Sequence, residues 1–258
     1  MERNILERLT GEINRGNSGA LVTITETSGS VPRRAGAVMA VFANDFQGTI
    51  GGGKIEFEVI NIARRALETG KSQEFSYKLL PEESLGMSCG GSVKGFIKIF
   101  KPKPKLLIAG GGHIGSAINY ISKILNFDVT LVDDREELKD EYENIIVGNY
   151  GEILKDYPVD SSTYCVIVTK GHRTDDEVLR ALVGRGARYI GLIGSRKKSK
   201  GIIDGLLQDG FSREEVEKIY TPVGINISDG TPEEIALEIL SEILKIKNNG
   251  TLVHRRDM

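Results

Sequence analysis

Several short stretches of this chain bring together residue types that could do chemistry. In "LGMSCGGSVKG" (residues 85–95), Cys89 stands directly before Gly90 and Gly91, and the only other cysteine is Cys165. Taken alone, such a thiol is open between packing residue, metal ligand, nucleophile and sulfur carrier. In "LLIAGGGHIGSAI", Gly110, Gly112 and Gly115 have the G-x-G-x-x-G spacing, with His113 inside the loop. That spacing permits a tight turn, close approach of a pyrophosphate and close helix–strand packing, in that order. The N–H groups of a following helix would then face the phosphates. Asp133 lies 23 positions beyond Gly110, where an acid can bond a ribose 2′-hydroxyl and favour NAD over NADP, a preference that Arg135 nearby blurs. Three histidines are present, and His172, in "TKGHRTDD", is the one placed to act as an acid or base. "GSRKKS" adds Ser195 and Arg196, the latter a potential anion clamp. The first half has its own glycine loop, "TIGGGKIEFEV", with Gly51 and Gly52 before a helix and Glu56 in its first turn. Upstream, "GSVPRRAGAVM" contributes Arg33.

These groups need elements to hold them. "KPKPK" (101–105) reads as an extended, solvated seam, because proline fixes φ and pushes its predecessor out of the helical region. It divides the chain into expected domains 1–102 and 103–258. Before the seam, an amphipathic first helix precedes strands at 20–27 and 37–42 and a turn "NDFQG". A helix from about Lys54 to Glu68, closed by Gly70, and strands at 74–80 and 92–100 complete a small α+β domain with a largely antiparallel sheet. After it, apolar strands at 105–110, 128–134, 144–148, 163–170 and 189–194 alternate with helical patterns such as 113–125 and 175–186. That alternation predicts an α/β domain with a Rossmann-like, doubly wound parallel sheet. His172, Ser195 and Arg196 would then fall at the carboxyl ends of strands, where such sheets bind ligands. The last helix is announced by Thr231 as cap, Pro232 at its first position and Glu234 completing a capping box.

Composition narrows the classes. The 258 residues are 40% apolar and 27% charged, with formal net charge −2 and a pI of about 6.0. No global field draws such a chain to nucleic acid or to a membrane surface, and no apolar run approaches the ~18 residues of a membrane span. The N-terminal "MERNILERLTGEINRG" has helical apolar spacing without a signal-peptide core. Two cysteines make no disulfide framework, and no C-x-x-C or H-x-x-x-H pair offers zinc. The expectation is a soluble, cytoplasmic protein; an antiparallel sheet edge or the final helix could support a homodimer.

The motifs "GSVPRRAGAVM", "GTIGGGKIEFEVI", "SCGGSVKGFIKIF", "LLIAGGGHIG", "LVDDR", "YIGLIGSRKK" and "TPVGINISDGTPEEIALEIL" occur in an order that resembles the xanthine dehydrogenase accessory protein family, which includes a carbon monoxide dehydrogenase accessory branch. The resemblance covers nearly the whole chain. It implies an accessory domain followed by a Rossmann domain. It also implies a chaperone that binds molybdenum cofactor, promotes its sulfuration with a cysteine desulfurase and passes it to a molybdenum hydroxylase apoenzyme. Carried onto this sequence, the cofactor site would draw on Arg33, Gly51, Gly52, Glu56, Cys89, Gly90 and Gly91, with Cys89 touching molybdenum or carrying sulfur. The nucleotide-type site would draw on Gly110, Gly112, His113, Gly115, Asp133, Ser195 and Arg196; the residues leave open whether it holds NAD, another nucleotide or nothing. Lys54 departs from the pattern, because many relatives have a small residue or cysteine after the glycines, which puts a two-thiol mechanism in doubt. Two other classes fit the residues: an NAD-dependent oxidoreductase using His172, and a nucleotide-sensing module without chemistry.

Overall fold

The computed structural model describes residues 2–29, 34–78 and 92–257. The chain divides into two compact units, Met1–Pro102 and Lys103–Met258.

In the first unit, α1 (Glu2–Asn14) leads into β1 (Gly19–Ser28), β2 (Val38–Val41), β3 (Phe46–Gly48), α2 (Gly53–Thr69), β4 (Gln73–Lys78) and β5 (Ser92–Phe100). The strands form one sheet in the order β3-β2-β1-β5-β4, with every pairing antiparallel. Strand periodicity sorts its two faces. Ala20, Val22 and Ile24 of β1, with Met39 and Val41 of β2, pack under Ile55, Val59 and Ala63 of α2. The alternate residues Leu21, Val38 and Ala40 meet Ile5 and Leu9 of α1. Helix α2 stops where Gly70 turns left-handed, φ 63°, and its N–H bonds back to the Leu67 carbonyl. The segment read from sequence as a turn, "NDFQG", instead contributes β3, whose Phe46–Gly48 pairs with Met39–Val41.

The second unit runs β6 (Lys105–Ala109), α3 (His113–Ile124), β7 (Asp128–Asp133), β8 (Ile145–Val147), α4 (Tyr150–Asp156), β9 (Thr163–Ile167), α5 (His172–Leu182), β10 (Tyr189–Leu192), α6 (Arg196–Gln208), α7 (Arg213–Val216), β11 (Ile219–Tyr220) and α8 (Pro232–Asn248). All six strands are parallel, in the order β11-β10-β9-β6-β7-β8. Numbered from β6, this is the doubly wound Rossmann order, whose direction of winding reverses between β6 and β9. Helices cover both faces. Ile118 of α3 and Ala236, Ile239 and Leu240 of α8 pack on Leu106, Ile108 and Leu131. On the other face, Leu154 of α4, Val178 and Leu182 of α5 and Leu206 of α6 pack on Leu107, Val132 and Ile167. Helix α8 starts as its sequence predicts: Thr231 accepts from the Glu234 N–H, Glu234 accepts from the Thr231 N–H, and Pro232 stands in the first turn. Helix α5 begins three residues before the expected 175, so His172 is its first residue rather than part of the preceding loop.

Candidate functional site

At the winding reversal, the carboxyl ends of β6, β7 and β9 open onto a cavity of about 860 Å³. Its walls include the Gly110–Gly112 loop, His113, Asp133, Asp134, Arg135, Glu141, Tyr142, Tyr150, Thr169 and Lys170. A volume of that size suits a nucleotide-sized ligand.

The three fingerprint glycines are not equivalent. Gly110 has φ +109°, and a Cβ there would lie 2.5 Å from the Val168 carbonyl oxygen. A Cβ on Gly115 would lie 1.8 Å from the Gly110 carbonyl oxygen. The protein's own packing therefore demands both. Gly112 is different: its φ of −72° suits any residue, and a Cβ there would meet nothing within 4 Å. A side chain at Gly112 would intrude only on something entering from solvent. Helix α3 begins directly after it, with no side chain capping its first N–H groups. The donors left over are the ones that hold phosphate in this kind of loop.

Asp133 ends β7 and is 2% exposed. One carboxylate oxygen accepts from the Gly111 N–H at 2.6 Å and from Arg135 Nη2 at 3.0 Å. The other accepts from the Arg135 N–H at 3.0 Å and Arg135 Nε at 2.8 Å. Burial alone would raise its pKa, but the Arg135 guanidinium and these two N–H groups outweigh it and hold the carboxyl below its ordinary 3.8. Tyr150, against the same wall, is pushed above its ordinary value by burial and by the neighbouring Asp133 and Asp134 carboxylates, so its phenol stays protonated.

The other residues expected at this end of the sheet are placed less centrally. His172, Ser195 and Arg196 are exposed and lie outside the cavity walls. Ser195 caps α6, its hydroxyl accepting from the Lys198 N–H at 3.3 Å. Sequence reasoning passed over a buried trio beside the cavity. Asp175 is fully buried; it accepts from the Thr169 hydroxyl at 2.5 Å and forms an ion pair with Lys198, whose side chain is 16% exposed. The signal was the polar run "HRTDD" at a helix start, but its partner lies over twenty residues away.

In the first unit, the loop Thr49–Gly52 precedes α2. Gly52, φ 77°, brings its N–H round toward the helix. Glu56 folds back onto this loop: its Oε2 accepts from Thr49 Oγ1 at 2.5 Å, the Ile50 N–H at 3.0 Å and the Gly52 N–H at 3.2 Å. The loop thus supplies its own anion. Arg33, Cys89, Gly90 and Gly91 lie outside the described residues. Cys165 is buried in β9 among apolar side chains, and burial pushes its thiol up to about 12. Among the described residues, no group of three His, Cys, Asp or Glu side chains could hold a metal ion.

Comparison with known proteins places this arrangement. Residues 106–243 match the model of the XdhC Rossmann domain, and residues 13–78 match that of the XdhC and CoxI family. The chain belongs to the XdhC family. Its relatives include the uncharacterized protein YqeB of Escherichia coli strain K12, 30% identical over 238 residues, which covers 89% of this chain and 44% of that protein. A probable xanthine dehydrogenase component from Bacillus subtilis strain 168 is 24% identical over 163 residues, or 61% of this chain and 47% of that one. The chain therefore spans a little under half the length of these curated relatives. A crystal structure described as a xanthine dehydrogenase from Bacillus halodurans shares the fold, with a TM-score of 0.53 over 96% of each chain at 18% identity. The XdhC-family Rossmann unit coincides with the cavity: all of its walls fall within 106–243. No helix among the described residues is long and apolar enough to cross a membrane.

Proposed function

We propose that this chain is an accessory protein for a xanthine-dehydrogenase-type molybdenum hydroxylase: it binds molybdenum cofactor, assists its sulfuration with a cysteine desulfurase and delivers it to the apoenzyme. The observation that carries this reading is membership of the XdhC family through matches in both halves of the chain. The bound cofactor would supply the molybdenum centre that the hydroxylase uses. At the Thr49–Gly52 loop its phosphate would compete with the Glu56 carboxylate, which takes the Ile50 and Gly52 N–H groups. The metal-facing group in this reading is Cys89, since Cys165 is sealed in the sheet core and soft thiolate suits such a metal.

The Rossmann unit has the second role in the proposal, binding a nucleotide of the NAD type. Open space over Gly112 and the uncapped start of α3 support it. The chain's contribution there is binding and orientation. A dehydrogenase reading has less support, because His172 stands outside the cavity walls.

The test is direct. Purified protein is mixed with molybdenum cofactor, separated by ultrafiltration and assayed for retained molybdenum and pterin fluorescence, then for reconstitution of apo-hydroxylase. Retention and transfer are expected, with Cys89→Ala losing one or both. If neither molybdenum nor pterin is retained while NADH is consumed with a carbonyl compound, the protein is an oxidoreductase instead.

A further inference from the structure

We propose that the Rossmann cavity selects a nucleotide whose adenosine ribose carries a 2′-phosphate, and that Arg135 is the residue that selects it. This rests on the nucleotide-binding reading above, and reverses the preference for NAD that an acid at the end of β7 suggests in the sequence alone.

Acceptors and donors around Asp133 balance. An ionised carboxylate has about four lone-pair sites. All four donors needed to fill them are present at Asp133: the Gly111 N–H, the Arg135 N–H, and Nε and Nη2 of the Arg135 guanidinium. With its side chain 3% exposed, Asp133 has neither an acceptor site nor a path for a ribose 2′-hydroxyl. The role that an acid at this position plays in NAD recognition is therefore already taken by the protein itself.

The same pairing removes the obstacle to a phosphate. An acid at this place disfavours NADP because its negative charge faces the 2′-phosphate. Here the guanidinium clamps that charge through two parallel hydrogen bonds. Arg135 spends two of its five N–H groups on the pair, and the other three make no hydrogen bond among the described residues. Its side chain is 42% exposed and on the cavity wall. Held by Asp133, the fork is pre-oriented, so little rotamer freedom remains to be lost when an anion binds.

Topology puts Arg135 on the correct side. It follows β7, on the β7–β8 half of the sheet, where the adenosine half of a dinucleotide lies when its pyrophosphate sits on the loop after β6. Lys170, the other Lys or Arg on the wall, follows β9 on the opposite side of the reversal. Asp134 and Glu141 also line the cavity. They oppose a bound phosphate, so the preference for it depends on Arg135 and reverses without it.

The experiment titrates the full chain with NADPH and NADH by nucleotide fluorescence, and with coenzyme A by competition, since its 3′-phosphate presents similar chemistry from another source. The expected result is that NADPH binds tenfold or more tightly than NADH, and that coenzyme A competes weakly. Arg135→Ala should weaken NADPH by roughly 10- to 100-fold, the range for one lost charge-assisted contact. The same change frees acceptor sites on Asp133, so NADH affinity should hold or rise and the preference should invert. Arg135→Lys should restore part of the NADPH affinity, which a purely structural role would not explain. Equal or tighter binding of NADH by the unaltered chain overturns the proposal while leaving the nucleotide reading intact, and tight coenzyme A binding without NADPH binding overturns it as well. If none of the three binds, the nucleotide reading itself falls. The comparison on the unaltered protein decides the matter even if a variant folds poorly.

Discussion

Replacing Glu56 with alanine probes the self-filled glycine loop. The carboxylate accepts three hydrogen bonds on one oxygen, two of them from backbone N–H groups at Ile50 and Gly52. A hydrogen bond to a charged group contributes about 1.5–3 kcal/mol. Three donors sharing one half-buried oxygen do not add fully, and water reaches part of the vacated space, so about 2 kcal/mol in total is expected. For a domain of the first unit's size, about 1 kcal/mol moves Tm by roughly 4–8 °C. The first unit of Glu56→Ala should therefore melt about 8–16 °C lower in differential scanning calorimetry. The transition of the second unit, which does not contain the change, is the internal reference. Glu56→Gln keeps an acceptor but not the charge, and should fall in between. The variant also leaves an empty anion cradle at a helix N-terminus. Added sulfate should then stabilise Glu56→Ala more than the unaltered protein, by about 1.4 kcal/mol at ten times its Kd. An unchanged first transition, or equal sulfate responses in the two proteins, would refute the idea that Glu56 neutralises this loop.

Other consequences are open to measurement. Gly115→Ala should destabilise the second unit by about 1–3 kcal/mol, because its Cβ would lie 1.8 Å from the Gly110 oxygen. Gly112→Ala should cost under about 1 kcal/mol at this cap position, yet abolish nucleotide binding; thermal melts and the NADPH titration separate the two. Asp175→Ala leaves the largely buried Lys198 ammonium unpaired and should lower stability by about 2–4 kcal/mol, whereas Asp175→Leu with Lys198→Met should recover most of that loss in a denaturant series. In acid, Asp133 destabilises the fold as it protonates. Its folded pKa lies below the ordinary 3.8, so its contribution is complete above about pH 4 and is lost as pH falls through the folded value. Urea midpoints should drop below pH 4, and less steeply in Asp133→Asn. The Cys165 thiol, held at about 12 inside the sheet core, should stay silent to a thiol reagent in native Cys89→Ala and react only on unfolding.

Much of this architecture was legible because periodicity reports burial directly. The apolar runs at 105–110, 128–134 and 163–170 became the central parallel strands, and the Thr231–Pro232–Glu234 signature became the start of α8. What failed was signalled by distant pairing or by weak propensity. Strand β3 is three residues long and exists because Phe46–Gly48 meets Met39–Val41, a tertiary pairing that a turn-rich "NDFQG" conceals. Helix α6 contains Gly201 and Gly205, which lower helix propensity; its clearest local sign, Ser195 as cap, suggested a ligand-binding hydroxyl instead. The site was legible to the same depth. Spacing located the glycine loop and Asp133, but the saturation of Asp133 involves the Gly111 N–H, and backbone donors have no letter in a sequence.

The two glycine loops show what that omission hides. Both precede a helix, and both have a carboxylate within reach of loop N–H groups. Glu56 lies inside the helix that its loop precedes and ties the Ile50 and Gly52 N–H groups of that loop. Asp133 comes from the neighbouring strand and takes only the Gly111 N–H, while Gly112 faces open space and the start of α3 is uncapped by any side chain. The origin of the carboxylate thus decides what the loop can do. In the first unit it ties the loop to its helix, and glycine serves the turn. In the second it anchors one edge of the loop and orients Arg135. Equal glycine content therefore leaves different loop N–H groups tied: those of Ile50 and Gly52 by Glu56 in the first unit, and that of Gly111 by Asp133 in the second.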